Sequence, residues 1–246
     1  MPTSRRVVLV TGAARRVGAA IARRLHADGW DLALHYRASA SEMQALIAEL
    51  ETARAGSTLM LQAELAAFDR LPELVARTVG HYGRLDALVN NASAFYPTPA
   101  GSATPAQWEE LFAVNARAPF FLSQAAAPHL RAAHGAIVNI ADIYADKPRA
   151  DLAVYAASKA ALLAVSRGLA VSLAPEVRVN AVSPGAILWP DAGIDPDVQT
   201  RLLAQTPLGR AGNPDDIAGI VAWLLGDSAS YITGQVVRVD GGRALG

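Results

Sequence analysis

Tyr155 and Lys159 stand four residues apart in a stretch rich in Ala, Leu and Val, so on a helix they share one face. A free phenol has a pKa of about 10 and exchanges protons poorly at neutral pH. A neighbouring ammonium favours the phenolate and draws that value toward the working range, so the pair reads as an acid–base couple. Near the amino terminus, Thr11-Gly12-Ala13-Ala14-Arg15-Arg16-Val17-Gly18 follows an apolar run and leads into helical sequence. Glycines there let the backbone approach a pyrophosphate, and a helix N-terminus presents free N–H groups with a partial positive charge. An NAD site would carry an acid about 20 residues on, to accept from the ribose 2′-hydroxyl. The segment Leu34-His35-Tyr36-Arg37-Ala38-Ser39 instead has no acid before Glu42. The Arg37 guanidinium and the Ser39 hydroxyl suit a 2′-phosphate, so NADPH is the expected cofactor.

These groups need a scaffold that brings a turn, a strand end and a helix face together. Short β-branched runs alternate with longer helical segments. Strands are expected at Val7–Val10, Asp31–Tyr36, Thr58–Gln62, Leu85–Val89, Ala136–Ile140, Val177–Ala181 and Gln235–Val239. Helices are expected at Val17–Ala27, Ser41–Arg54, Arg70–Tyr82, Pro105–Leu130 and Val154–Leu173. This alternation predicts an α/β fold, one Rossmann-like, doubly wound parallel sheet of about seven strands with helices on both faces. The whole chain, 1–246, reads as a single domain. Its most irregular region, Pro184–Thr206, carries Asp191, Asp195 and Asp197. Such a region lies beyond the carboxyl strand ends, where ligands bind. A mobile substrate lid over about 186–206 is expected, with helix capping by the aspartates as the alternative.

Composition narrows the function classes. With 22 Lys plus Arg against 22 Asp plus Glu, no global field favours nucleic acid or an anionic membrane. The 246 residues include no cysteine, which excludes disulfides, thiolate metal sites and cysteine nucleophiles. The five histidines are scattered without ligand spacing, so no structural metal is expected. Neither a signal peptide nor an apolar stretch of membrane-spanning length is legible, and a cytoplasmic protein is expected.

The combination of Thr11-Gly12…Gly18, Asn90-Asn91-Ala92, Asn115, Tyr155-Ala-Ala-Ser-Lys159, Pro184-Gly185 and the tail Ile232-Thr-Gly-Gln…Val239-Asp-Gly-Gly resembles the short-chain dehydrogenase/reductase family over nearly the whole chain. The resemblance implies that Tyr155 donates a proton as hydride reaches the substrate, with Lys159 lowering its pKa and holding the nicotinamide ribose. Asn115 would support a water-linked relay from Lys159, or else only fix a kink in its helix. The cofactor would lie against Gly12, Arg15, Arg16, Val17 and Gly18 of the turn, and Tyr36, Arg37 and Ser39 of the next strand end. Glu64 and Leu65 would stand near the adenine, and Asn91, Ala92, Ser93, Pro184, Gly185 and Ile187 near the nicotinamide. Glu64 replaces the more usual aspartate, and the 2′-phosphate loop lacks one basic residue found in some relatives. The family also implies a homotetramer.

Two departures from the family pattern narrow the substrate. Arg16 occupies the middle glycine position of the turn, where a large cation projects into the crevice. Asp142 stands thirteen residues before Tyr155, where the family's catalytic serine is usual. A carboxyl group holds or passes a proton more readily than a hydroxyl. That suits reduction of a C=N bond, whose nitrogen must be protonated. Both departures, together with Leu34-His-Tyr36 and Asn90-Asn-Ala-Ser-Ala-Phe-Tyr-Pro-Thr-Pro99, resemble the pteridine reductases within this family.

That likeness implies that Phe95 stacks a pterin against the nicotinamide, with Ser93 bonding both. Arg16 would contact the pterin or its waters, and Asp142 and Tyr155 would protonate ring nitrogen. Leu188 and Trp189 would wall the pocket, with packing of the lid against the body as the alternative for Trp189. A pterin or folate-like small molecule is the expected substrate. The alternatives are a carbonyl reductase, for example of 3-oxoacyl thioesters, and a sensor that binds NADPH without turnover.

Overall fold

A computed structural model describes residues 5–187 and 195–245. Seven parallel strands form one sheet in the order β3-β2-β1-β4-β5-β6-β7. They are β1 (Val7–Val10), β2 (Asp31–Tyr36), β3 (Thr58–Gln62), β4 (Ala87–Asn90), β5 (Ala136–Ile140), β6 (Arg178–Pro184) and β7 (Val236–Val239). The inner strands β1, β2, β4 and β5 are buried along their whole length, which is why their sequences are apolar runs and not alternating ones.

Helices cover both faces, and the strand period of two decides which residues meet which helices. Val8, Val10, Leu32 and Leu34 face one layer, made by α1 (Arg16–Ala27), α2 (Ala40–Ala53) and α8 (Pro214–Leu225). Val7, Leu9, Ala33, Leu88 and Ile137 face the other, made by α3 (Leu71–Tyr82), α5 (Ala118–Ala133) and α6 (Ala153–Ser172). Burying a side chain such as Ile21 or Leu122 there contributes roughly 1.5–3 kcal/mol. Strand order reverses between β1 and β4, so a crevice opens at their carboxyl ends.

Several elements differ from the sequence expectation. The helical material expected over 105–130 is divided into α4 (Pro105–Phe112), a π-helical turn at Ala113–Arg117, and then α5. β6 runs on to Pro184, which brings Gly185 against Asp240. Two further helices, α7 (Pro196–Ala204) and α8, were not read from the sequence. α8 has a start signal in Asn213-Pro214-Asp215-Asp216, where Asn213 and Asp216 cap each other's main-chain N–H groups. α7 occupies part of the expected lid. Asp195 caps it by accepting from Asp197 N, so this acid has the capping role. Leu188, Trp189 and Asp191 lie outside the described residues.

α6 reaches the length and hydropathy of a membrane span. It also carries Lys159 and Arg167 and has 56% of that window buried inside the fold, as a core helix does.

Candidate active site

The site begins at the turn after β1. Gly12 takes a φ of 64°, in the left-handed region that glycine tolerates, and a Cβ there would meet Ala92 Cα at 2.9 Å. A Cβ on Gly18 would fall 2.2 Å from Gly12 O. The two glycines thus let turn, helix and the end of β4 close on one another. Asn91 locks this contact by donating from Nδ2 to Thr11 O (2.9 Å) and Gly12 O (3.0 Å). Thr11 Oγ1 accepts from Asn91 N and Ala92 N.

From below, His35 Nδ1 accepts from Gly12 N at 3.2 Å while its Nε2 meets Ala63 O. Burial lowers the His35 pKa to about 4, which keeps the ring neutral and Nδ1 an acceptor. Sequence reasoning saw His35 only as part of a resemblance and missed this strut.

α1 starts beside the crevice with no side-chain cap and no acid in its first turn, so no side chain competes for its N–H groups. Arg16 has a φ of 51°, a conformation rare outside glycine, at the position where the family turn usually has one. Its Nη2 donates to Ile187 O at 3.4 Å, which places this cation between the two rims of the crevice. On the far side, Arg15 lies 3.5 Å from Glu42 and Arg37 lies 3.8 Å from Glu64, all four side chains being exposed. Tyr36 and Leu65 are buried, and Ser39 precedes α2 without capping it.

β5 and α6 supply the reactive groups. Tyr155 and Lys159 lie in the first two turns of α6, 3% and 1% exposed. Tyr155 Oη donates to Asp142 Oδ2 at 2.7 Å, and Asp142 Oδ1 accepts from Tyr144 N at 2.9 Å. Burial pushes the Asp142 carboxyl up. Burial and the Asp142 charge push the Tyr155 phenol well up.

The Lys159 ammonium is not bonded to the phenol. The ammonium donates to Ile140 O at 2.9 Å and lies 5.9 Å from the Tyr155 ring centroid, while the carboxylate touches the hydroxyl itself. Desolvation also brings the Lys159 pKa down to about 8.

Asn115 is fully buried in the π-helical turn. Its Nδ2 donates to Ala94 O and Ser158 Oγ, each at 3.0 Å, and its Oδ1 accepts from Ala94 N and Ser93 Oγ. Those bonds use the full capacity of the side chain. Its amide staples the Ser93-Ala94 segment to α6 at the irregular turn of the helix, as the kink-fixing alternative expected.

The segment held by Asn115 carries Phe95, which is 55% exposed with its ring 4.7 Å from that of Tyr155 at 88°. Core packing does not explain such a ring. Tyr96, by contrast, bonds Gln107 O and Glu110 on α4 and is tied to the scaffold.

The arrangement joins a cradle for a dinucleotide phosphate, a proton-holding pair and an exposed aromatic face at one strand edge. Comparison with known proteins gives the family. A family model described as enoyl-(acyl carrier protein) reductase matches residues 12–244. An uncharacterized oxidoreductase of Methylorubrum extorquens is 39% identical, covering 96% of this chain and 97% of its own. Pteridine reductase 1 of Leishmania tarentolae is 36% identical, covering 97% and 96%. The 3-oxoacyl-(acyl-carrier-protein) reductase FabG of Staphylococcus aureus is 34% identical, covering 95% and 96%.

Proposed function

The chain belongs to the short-chain dehydrogenase/reductase family of NAD(P)-dependent oxidoreductases, and within that family we propose that it reduces pterins with NADPH. One observation carries the reading: the exposed Phe95 ring stands edge-on to Tyr155, whose hydroxyl is bonded to a buried carboxyl, Asp142. A flat heteroaromatic ring suits an aromatic face. A carboxyl–phenol pair in which burial pushes both groups toward their protonated forms suits a substrate whose ring nitrogen must receive a proton.

The donor set fits a nicotinamide dinucleotide. The uncapped N-terminus of α1 with Gly12 and Gly18 would receive the pyrophosphate, Arg15, Arg37 and Ser39 the 2′-phosphate, and Lys159 the nicotinamide ribose. Bound there, NADPH supplies the hydride. Tyr155 then delivers its proton to the substrate nitrogen, and Asp142, at 2.7 Å, holds the hydroxyl in line and restores its proton. Arg16 faces the acceptor-rich edge of the ring, and Ser93 with Phe95 orients it. Binding between Phe95 and the crevice floor excludes water from the proton pair. A dihydropterin or dihydrofolate-like compound, a homotetramer and a cytoplasmic setting belong to the same proposal.

The similarity to an oxoacyl reductase favours one rival, reduction of a ketone. Steady-state NADPH oxidation with a dihydropterin and an acetoacetyl thioester in parallel separates them. Turnover with the pterin that is lost in Tyr155→Phe is the expected result. Turnover with the thioester alone overturns the substrate. NADPH binding with neither turnover points to a sensor.

A further inference from the structure

We propose that Arg243, near the carboxyl end of the chain, is a positioning residue for the Asp142–Tyr155 proton pair, held beside it by Tyr144 and acting on it through its charge. The proposal rests on the reading of that pair as the proton donor.

Arg243 is delivered by a built turn. Gly241 and Gly242 take φ values of 63° and 85°, and Asp240 accepts from Gly242 N at 3.0 Å and Ala244 N at 2.8 Å. The arginine that follows is only 9% exposed. Burying a guanidinium is costly unless it finds a partner. Its Nη2 donates to Tyr144 Oη at 3.2 Å, and the guanidinium lies 5.6 Å from the Tyr144 ring centroid. Tyr144 N is in turn the donor to Asp142 Oδ1. The same turn is gripped at its other end, where Arg238 on β7 meets Asp146 at 2.8 Å. The carboxyl-terminal segment therefore fixes the Asp142 turn at two points, one of which carries a buried charge.

That charge matters because, among the described residues, no cation is bonded to Asp142. Tyr155 and Lys159 face it from α6 and Tyr144 from its own turn, while Ser93 reaches Tyr155 from the Phe95 segment. Lys159 spends a proton on Ile140 O. Arg149, also close to the Tyr144 ring, is more exposed and paired with Asp151. Lys159 and Arg243 act on Asp142 through space, where a poorly solvated setting makes a charge felt. Arg243 opposes the burial that makes the carboxyl hold its proton too tightly, and the Tyr144 contact keeps Asp142 Oδ2 aimed at Tyr155.

The test is the pH dependence of kcat in wild type, Arg243→Met, Arg243→Gln and Arg243→Lys. The carboxyl 13C titration of Asp142, assigned with Asp142→Asn, is followed in the same proteins without substrate. Removing a nearby positive charge raises a carboxyl pKa, so Met and Gln are expected to move the titration, and the limb of kcat that follows it, upward by roughly one unit. Lys is expected to keep both near wild type.

Gln retains a donor for Tyr144, and carries the test if Met does not fold. No upward shift in Gln, or a shift in Lys as large as in Gln, overturns the proposal. The NMR titration reads this whichever compound is reduced. Absence of pterin turnover in wild type sinks the pterin reading alone.

Discussion

The Phe95 and Tyr155 rings meet edge-on at 4.7 Å, one of them 55% exposed and the other 3%. The pairing joins an open aromatic face to a buried proton donor, so Phe95→Ala should act on binding. An aromatic contact contributes about 0.5–1.5 kcal/mol, which predicts a rise in KM for a dihydropterin of a few-fold to about tenfold. Thermal unfolding should show stability changed by less than about 0.5 kcal/mol, because the ring supports no core.

Asp142 and Tyr155 should be separable by kinetics. Tyr155→Phe removes the proton and should lower kcat by at least about 10²-fold while NADPH still binds, as judged by fluorescence titration. Asp142→Ser restores the usual family residue. It should impair pterin reduction more than any thioester reduction; undiminished pterin turnover in that variant would show the carboxyl is not needed.

Arg37 and Arg15 flank the expected 2′-phosphate and are each close to a glutamate. Charge-assisted hydrogen bonds contribute roughly 1.5–3 kcal/mol, so Arg37→Ala should raise KM for NADPH by about tenfold or more and leave KM for NADH nearly unchanged. Equal effects on the two cofactors would remove Arg37 from the 2′-phosphate.

Stability should fall in acid because of His35. Its folded pKa of about 4 lies below the ordinary 6.5, so the unfolded chain binds the extra proton first. The contribution of the neutral ring is complete above about pH 6.5 and is lost as pH falls toward 4, by about 1.4 kcal/mol per unit and roughly 3 kcal/mol in all. Urea unfolding across that range should show a shallower slope in His35→Gln, whose side chain does not titrate.

Gly18→Ala should be severe, because the new methyl falls 2.2 Å from Gly12 O, a main-chain atom with little room to move. A loss of roughly 1–3 kcal/mol together with weakened NADPH binding is expected in calorimetry.

The sequence by itself determined the layers and the general site. Apolar runs such as Val7–Val10, a glycine turn before a helix and the Tyr155/Lys159 spacing are local signals, and local geometry follows from them. It also marked Asp142 and Phe95 through their positions in a recognisable pattern. Only the tertiary structure decided what each group feels. The π-helical turn at Asn115 arises among bonds to Ala94, Ser93 and Ser158, which no helical period encodes. Lys159 turns to Ile140, so burial and Asp142 set the state of Tyr155. Arg243 comes near Asp142 from a turn about a hundred residues away along the chain, and His35 braces a turn on another strand. Desolvation and through-space charge depend on distances in three dimensions, and linear spacing does not carry them.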